Sequence, residues 1–164
     1  MAGLRRKLGL LTERDGDEAL AEDLLQRMAA NRADFTLTFR RLADAAASPD
    51  GDAAVRTLYA DPGAYDGWAA EWRERLDEEP ADGQERAAAM RSVNPVFIPR
   101  NHLVEAALDA ASRRQGFQPF EEFLDAVSKP YEERPGFERY ARPARLDESV
   151  LHTFCGTLGT GHGR

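Results

Sequence analysis

The sequence predicts an all-α protein of about seven helices with a flexible C-terminal tail. Apolar residues recur every three or four positions through most of the chain. Clusters of proline and glycine punctuate them. No run alternates apolar and polar residues as a half-buried strand requires.

The elements follow in order. Leu4, Leu8 and Leu11 begin the first apolar stripe, and Asp15 and Asp17 then supply the negative charge that suits a helix N-terminus. Leu20, Leu24, Leu25 and Met28 form the next stripe. Asp34 is the N-cap expected for a third helix with Phe35, Phe39, Leu42 and Ala46 on one face. Ser48-Pro-Asp-Gly51 makes a turn, a short helix holds Val55, Leu58 and Tyr59, and Asp61-Pro-Gly63 ends it. Tyr65, Trp68, Trp72 and Leu76 step along one face of the following helix, and an Ala-rich helix covers Glu85 to Val93. In Asn94-Pro-Val-Phe-Ile-Pro99 each proline holds its predecessor extended, which predicts a non-helical, buried link. A helix from about Arg100 carries Leu103, Val104, Ala107, Leu108 and Ala111 up to Gly116. Phe120, Phe123, Leu124 and Val127 form a last stripe before Pro130, Pro135 and Pro143 cut the chain into short pieces. The expected division is a helical domain over 1–142, split by the Asn94–Pro99 link, and an extension over 143–164.

Composition narrows the function classes. The 164 residues are 42 % hydrophobic and 31 % charged, with a mean hydropathy of −0.58. No apolar run approaches the roughly 18 residues of a spanning helix, so no membrane partner is expected. Lys and Arg number 22 against 29 Asp and Glu, a net charge of −7. The basic residues are interspersed, so no nucleic-acid partner is expected either. Arg5, Arg6 and Lys7 break the N-terminal apolar stretch and acids follow, so no export signal is read and a cytoplasmic location is the expectation. Cys155 is the only cysteine, which excludes an internal disulfide and a cysteine zinc cluster.

Few residue patterns suggest chemistry. Gly156-Thr-Leu-Gly159-Thr-Gly161 lacks the following helix that a phosphate-cradling loop needs, and reads as tail. Asp34-Phe35-Thr36 resembles the Asp-Phe-Gly metal-binding tripeptide, but an N-cap plus a core phenylalanine explains it better. His102, Glu105 and Asp109 share a helical face, yet one helix alone makes a poor metal site. The pairs Glu121-Glu122, Glu132-Glu133 and Asp147-Glu148 point apart and read as surface charge. Trp68 and Trp72 read as core rather than a recognition surface. Cys155, with His152 three residues upstream, is open to nucleophilic, redox or inert readings, and spacing favours a plain thiol. No catalytic, cofactor-binding or metal-ligating residue emerges.

A resemblance adds to this. Met90-Arg-Ser-Val-Asn-Pro-Val-Phe-Ile-Pro-Arg-Asn-His-Leu-Val-Glu-Ala-Ala-Leu108 resembles a segment near the C-terminus of the SelO family (selenoprotein O, YdiU-like). Lys7-Leu-Gly-Leu10, Asp34-Phe-Thr-Leu-Thr-Phe-Arg40, the Trp68/Trp72 helix, Lys129-Pro-Tyr131 and Thr153-Phe-Cys-Gly-Thr157 resemble further family motifs in the same order. The resemblance implies a kinase-like fold that binds ATP in an inverted orientation and transfers AMP, with Mg²⁺ or Mn²⁺, to Ser, Thr or Tyr of proteins. Its nucleotide, metal and catalytic residues lie upstream and match nothing here. The chain is thus expected to be a C-terminal fragment without the catalytic core, inactive alone, with the upstream kinase-like lobe as partner. The alternative is a stand-alone helical interaction module. The resemblance also makes Cys155 a redox candidate whose partner thiol lies elsewhere.

Overall fold

The helical spacing folds as nine α-helices and one 3₁₀ turn, with no strand, among the residues that the computed structural model describes, 2–113 and 116–145. In chain order these are α1 (Ala2–Lys7), α2 (Asp17–Asn31), α3 (Phe35–Ala47), the 3₁₀ turn Pro49–Gly51, α4 (Asp52–Arg56), α5 (Pro62–Asp77), α6 (Gly83–Arg91), α7 (Asn101–Arg113), α8 (Gln118–Ser128) and α9 (Glu138–Ala141). Aspartates start three of them, Asp34 as expected and Asp61 and Asp82 where the sequence reading placed only helix breaks. Asp34 accepts from the Leu37 amide, Asp61 from Gly63, and Asp82 from Gln84 and Glu85. None of these helices is long and apolar enough to cross a membrane.

The first core gathers residues of α2 to α6 around the tryptophan helix. Trp68 and Trp72 are fully buried and stacked, with ring centroids 5.2 Å apart. Each indole N–H finds a carbonyl, Trp68 that of Leu20 and Trp72 that of Leu8, both at 2.9 Å. Burying a large ring without stranding its donor is what makes tryptophan usable here. Glycine permits two close approaches. A Cβ on Gly51 would stand 2.4 Å from the backbone of Asp44 and Ala45. At Gly9, φ is +76°, and a Cβ would meet Arg86 Cγ and Met90 Sδ at 2.8 Å.

A smaller second core joins the link to α7, α8 and α9 through Val96, Phe97, Ala107, Phe123, Ala126 and Tyr140. Asn94, Val96 and Phe97 are buried and the link is non-helical, as the prolines require. Two stripes differ from expectation. Phe35 is 50 % exposed and lies against Phe39, which alone enters the core. On α8, Phe123 points inward while Phe120 and Leu124 are exposed, as is Leu108 on α7. Spacing marks an apolar stripe but not how many elements cover it.

Asp17, read as a helix-start charge, is only 3 % exposed and anchors the loop before α2. Arg75 Nε donates to Asp17 Oδ1 at 2.7 Å, and its Nη1 lies 2.8 Å from Glu79 Oε1. Glu79 also accepts from the Leu11 and Thr12 amides and the Thr12 hydroxyl. Burial pushes both carboxyls up. The Arg75 guanidinium and the Arg14 amide outweigh that at Asp17, and Thr12 and Arg75 do so at Glu79, so both lie below the ordinary range. Their stabilisation is complete above the unfolded-state values near pH 4 and is lost as pH falls through the lower folded values. Urea unfolding followed by tryptophan fluorescence is expected to show a falling midpoint below about pH 4. Asp17→Asn is expected to flatten this acid limb and to cost on the order of 2 kcal/mol at neutral pH, Glu79 still facing Arg75. Equal midpoints at pH 3 and pH 7 would contradict the assignment.

Candidate functional site

Arg40 lies on the face of α3 that also buries Thr38, Phe39, Leu42 and Ala43. A cation at 6 % exposure needs acceptors, and here it has four. Nη1 donates to the carbonyls of Arg91 and Asn94, both at 3.0 Å, Nη2 to that of Tyr131 at 3.2 Å, and Nε to Glu133 Oε1 at 2.8 Å. The Arg91 carbonyl ends α6, where the helix dipole favours a cation.

Asn94, fully buried, is the other half of the junction. Its amide donates to Met90 O at 3.0 Å, its Nδ2 to Lys7 O at 2.9 Å, and its Oδ1 accepts from Lys7 Nζ at 3.1 Å. Lys7 Nζ also donates to Val93 O at 3.1 Å and sits 5.5 Å from the Phe39 ring centre. Burial pulls this ammonium below the ordinary lysine value. The Pro130 carbonyl accepts from the amides of Val96 and Phe97 at 2.7 and 3.2 Å, fastening the link to the loop after α8.

Arg100 closes the junction from the far side. Its fork donates to both oxygens of Asp34, Nη1 to Oδ2 at 2.7 Å and Nη2 to Oδ1 at 3.0 Å. Asp34 thus caps α3 and holds the start of α7 together. Burial pushes its carboxyl up, but Arg100 and the amides of Leu37 and Thr36 outweigh this and hold it below the ordinary value. A cleft of about 660 Å³ opens beside the junction, lined by Leu37, Arg41, Val96, Phe97, Glu133, Arg134, Pro135 and residues of the α9 region.

The junction orders structure and offers no reactive group. Its cations are engaged with carbonyls and carboxylates, and its carboxylates with arginines. Among the described residues no group of three or more His, Cys, Asp or Glu could hold a metal ion, His102, Glu105 and Asp109 included. Glu133 is a surface charge, as read, and it also pairs with Arg40. Glu122 likewise pairs with Arg139. Trp68 and Trp72 are core, as expected. Asp147-Glu148, His152, Cys155 and the Gly156–Gly161 run lie outside the described residues. Sequence reasoning missed Arg40, Asn94 and Lys7 as a unit. The available signal was a charged residue inside the apolar face of α3.

Two substitutions separate the buried and exposed halves of the Arg40 network. Arg40→Lys keeps a charge but replaces the fork with a point donor, so it is expected to cost on the order of 3 kcal/mol in chemical denaturation. Glu133→Gln, at a side chain 63 % exposed, is expected to cost less than about 1 kcal/mol. Equal costs would mean that the carbonyl contacts contribute nothing.

The chain is similar to known proteins over most of its length. A family model described as protein adenylyltransferase SelO matches residues 1–128. A protein named protein nucleotidyltransferase YdiU from Bradyrhizobium diazoefficiens is 57 % identical over 156 residues, covering 95 % of this chain and 32 % of its own length. Proteins of the same name from Rhodopseudomonas palustris and Methylorubrum extorquens are each 54 % identical, over 157 and 161 residues, covering 96 % and 94 % of this chain and 32 % of their own. The chain therefore spans about a third of the length of these relatives. Of the segments that carry the sequence resemblance, Lys7–Leu10, Asp34–Arg40, Met90–Leu108 and Lys129–Tyr131 each supply residues to the junction, and the chain belongs to the SelO family.

Proposed function

We propose that this chain is the C-terminal helical third of a SelO-type protein adenylyltransferase, an enzyme that moves AMP from ATP to Ser, Thr or Tyr hydroxyls of other proteins with Mg²⁺ or Mn²⁺. The observation that carries the reading is the match to nucleotidyltransferase relatives that covers 95 % of this chain but 32 % of theirs. Nucleotide binding and phosphoryl chemistry depend on positioned phosphate and metal ligands. On this reading those belong to the preceding two thirds, the kinase-like lobe that is the partner of this chain, in the cytoplasm. Residues 1–142 are its helical unit and 143–164 an extension whose Cys155 is the redox candidate. The exposed apolar side chains of α8 favour a second reading, a stand-alone helical module that binds a protein and catalyses nothing.

Incubation with labelled ATP, Mg²⁺ or Mn²⁺ and candidate proteins tests the first reading. The purified chain alone is expected to transfer no label. The chain joined behind the preceding two thirds of a family polypeptide is expected to transfer it. Transfer by the chain alone, or none by the joined polypeptide, would overturn the reading.

A further inference from the structure

Helix α8 carries one broad apolar arc, and the fold covers only one edge of it. Phe123 and Ala126 are buried, with Val127 packed against the same second core. Phe120 and Leu124, four residues apart, form the other edge of that arc with Phe117 one turn before, and they are 36 %, 53 % and 62 % exposed. Leu108, on the neighbouring α7, is 49 % exposed. Of the seven large apolar side chains exposed among the described residues, these are four. The apolar arc of α8 is wider than the second core beneath it, and an exposed apolar patch of this kind marks a contact surface.

We infer that the outer face of α8, built on Phe117, Phe120 and Leu124, docks against the preceding two thirds of the family polypeptide. The inference rests on the reading above and adds the surface. The relatives show the length of chain available to cover it, because about two thirds of their sequence lies outside the part matched here. The helix itself falls within the family match, which runs to residue 128. Beside the apolar side chains, exposed Glu121 forms no ion pair among the described residues. The surface that meets α8 is therefore apolar at its centre, with Glu121 in the hydrated rim.

Thiol accessibility tests this. Leu124→Cys is introduced into a Cys155→Ser background, in this chain alone and in the joined polypeptide. Alkylation is read by peptide mass and normalised to the rate in denaturant. The joined polypeptide is expected to react at least tenfold more slowly than the chain alone. A Phe120→Glu, Leu124→Glu pair is expected to leave the melting of the chain alone unchanged and to lower label transfer by the joined polypeptide. Equal alkylation rates in a joined polypeptide that still transfers label would overturn the surface and leave the functional reading standing. A joined polypeptide that transfers no label would count against that reading instead. Protection already present in the chain alone, with twice the monomer mass in light scattering that the Glu pair abolishes, would overturn the inference in favour of a second copy.

Discussion

The buried guanidinium of Arg40 is the contact on which the arrangement of the two cores depends. Prolines 95 and 99 take the chain out of helical geometry after α6, so carbonyls there lose the partners a continuing helix would give them. A guanidinium suits this position because its donors are fixed in one plane and diverge. It reaches the end of α6, the link and the loop after α8 from a single side chain on α3. Three of its four acceptors are backbone carbonyls. The contact therefore depends on where the backbone runs more than on which side chains it bears.

The same junction reaches the aromatic centre of the first core. Trp72 donates to Leu8 O, and the preceding residue, Lys7, exchanges hydrogen bonds with Asn94 in both directions. Gly9 lets this turn pass against Arg86 and Met90 of α6. A continuous path of hydrogen bonds and short chain segments thus runs from the indole of Trp72 to the carboxylate of Glu133 on the surface. Displacing Lys7 would affect both the Asn94 side chain and the seating of Trp72, since one short turn serves both.

What could be read in the sequence follows from how local each cause is. The Asp34 cap needs an amide three residues away, the Trp68/Trp72 stripe needs only helical period, and the Asn94–Pro99 link needs only its prolines. All three stand in the structure. The roles of Arg40 and Asn94 were not legible, because their partners are carbonyls 51 to 91 residues away for Arg40 and the backbone of Lys7 for Asn94. A carbonyl leaves no trace in a residue pattern. Glu133 is on the surface as read, but its pairing with Arg40 was not legible for a related reason. Its cation comes from α3, 93 residues away in sequence, and so distant a partner leaves no mark in the Glu132-Glu133 pattern. Phe35 was overcounted as core, because helical period identifies a face and says nothing of the layer that lies on it.

The rigidity of the junction bears on the outer face of α8. The second core hangs on the first through the Asn94–Pro99 link, and a bare link of six residues would let α7 and α8 swing. Arg40, the Arg100–Asp34 fork and the Pro130 carbonyl fasten that link at both ends and at the loop beyond α8. The result fixes how α8 is presented relative to the tryptophan core. Docking an orientation already set costs less ordering entropy than docking a hinged one. A junction without reactive groups then contributes to binding by limiting the orientations that α8 can take.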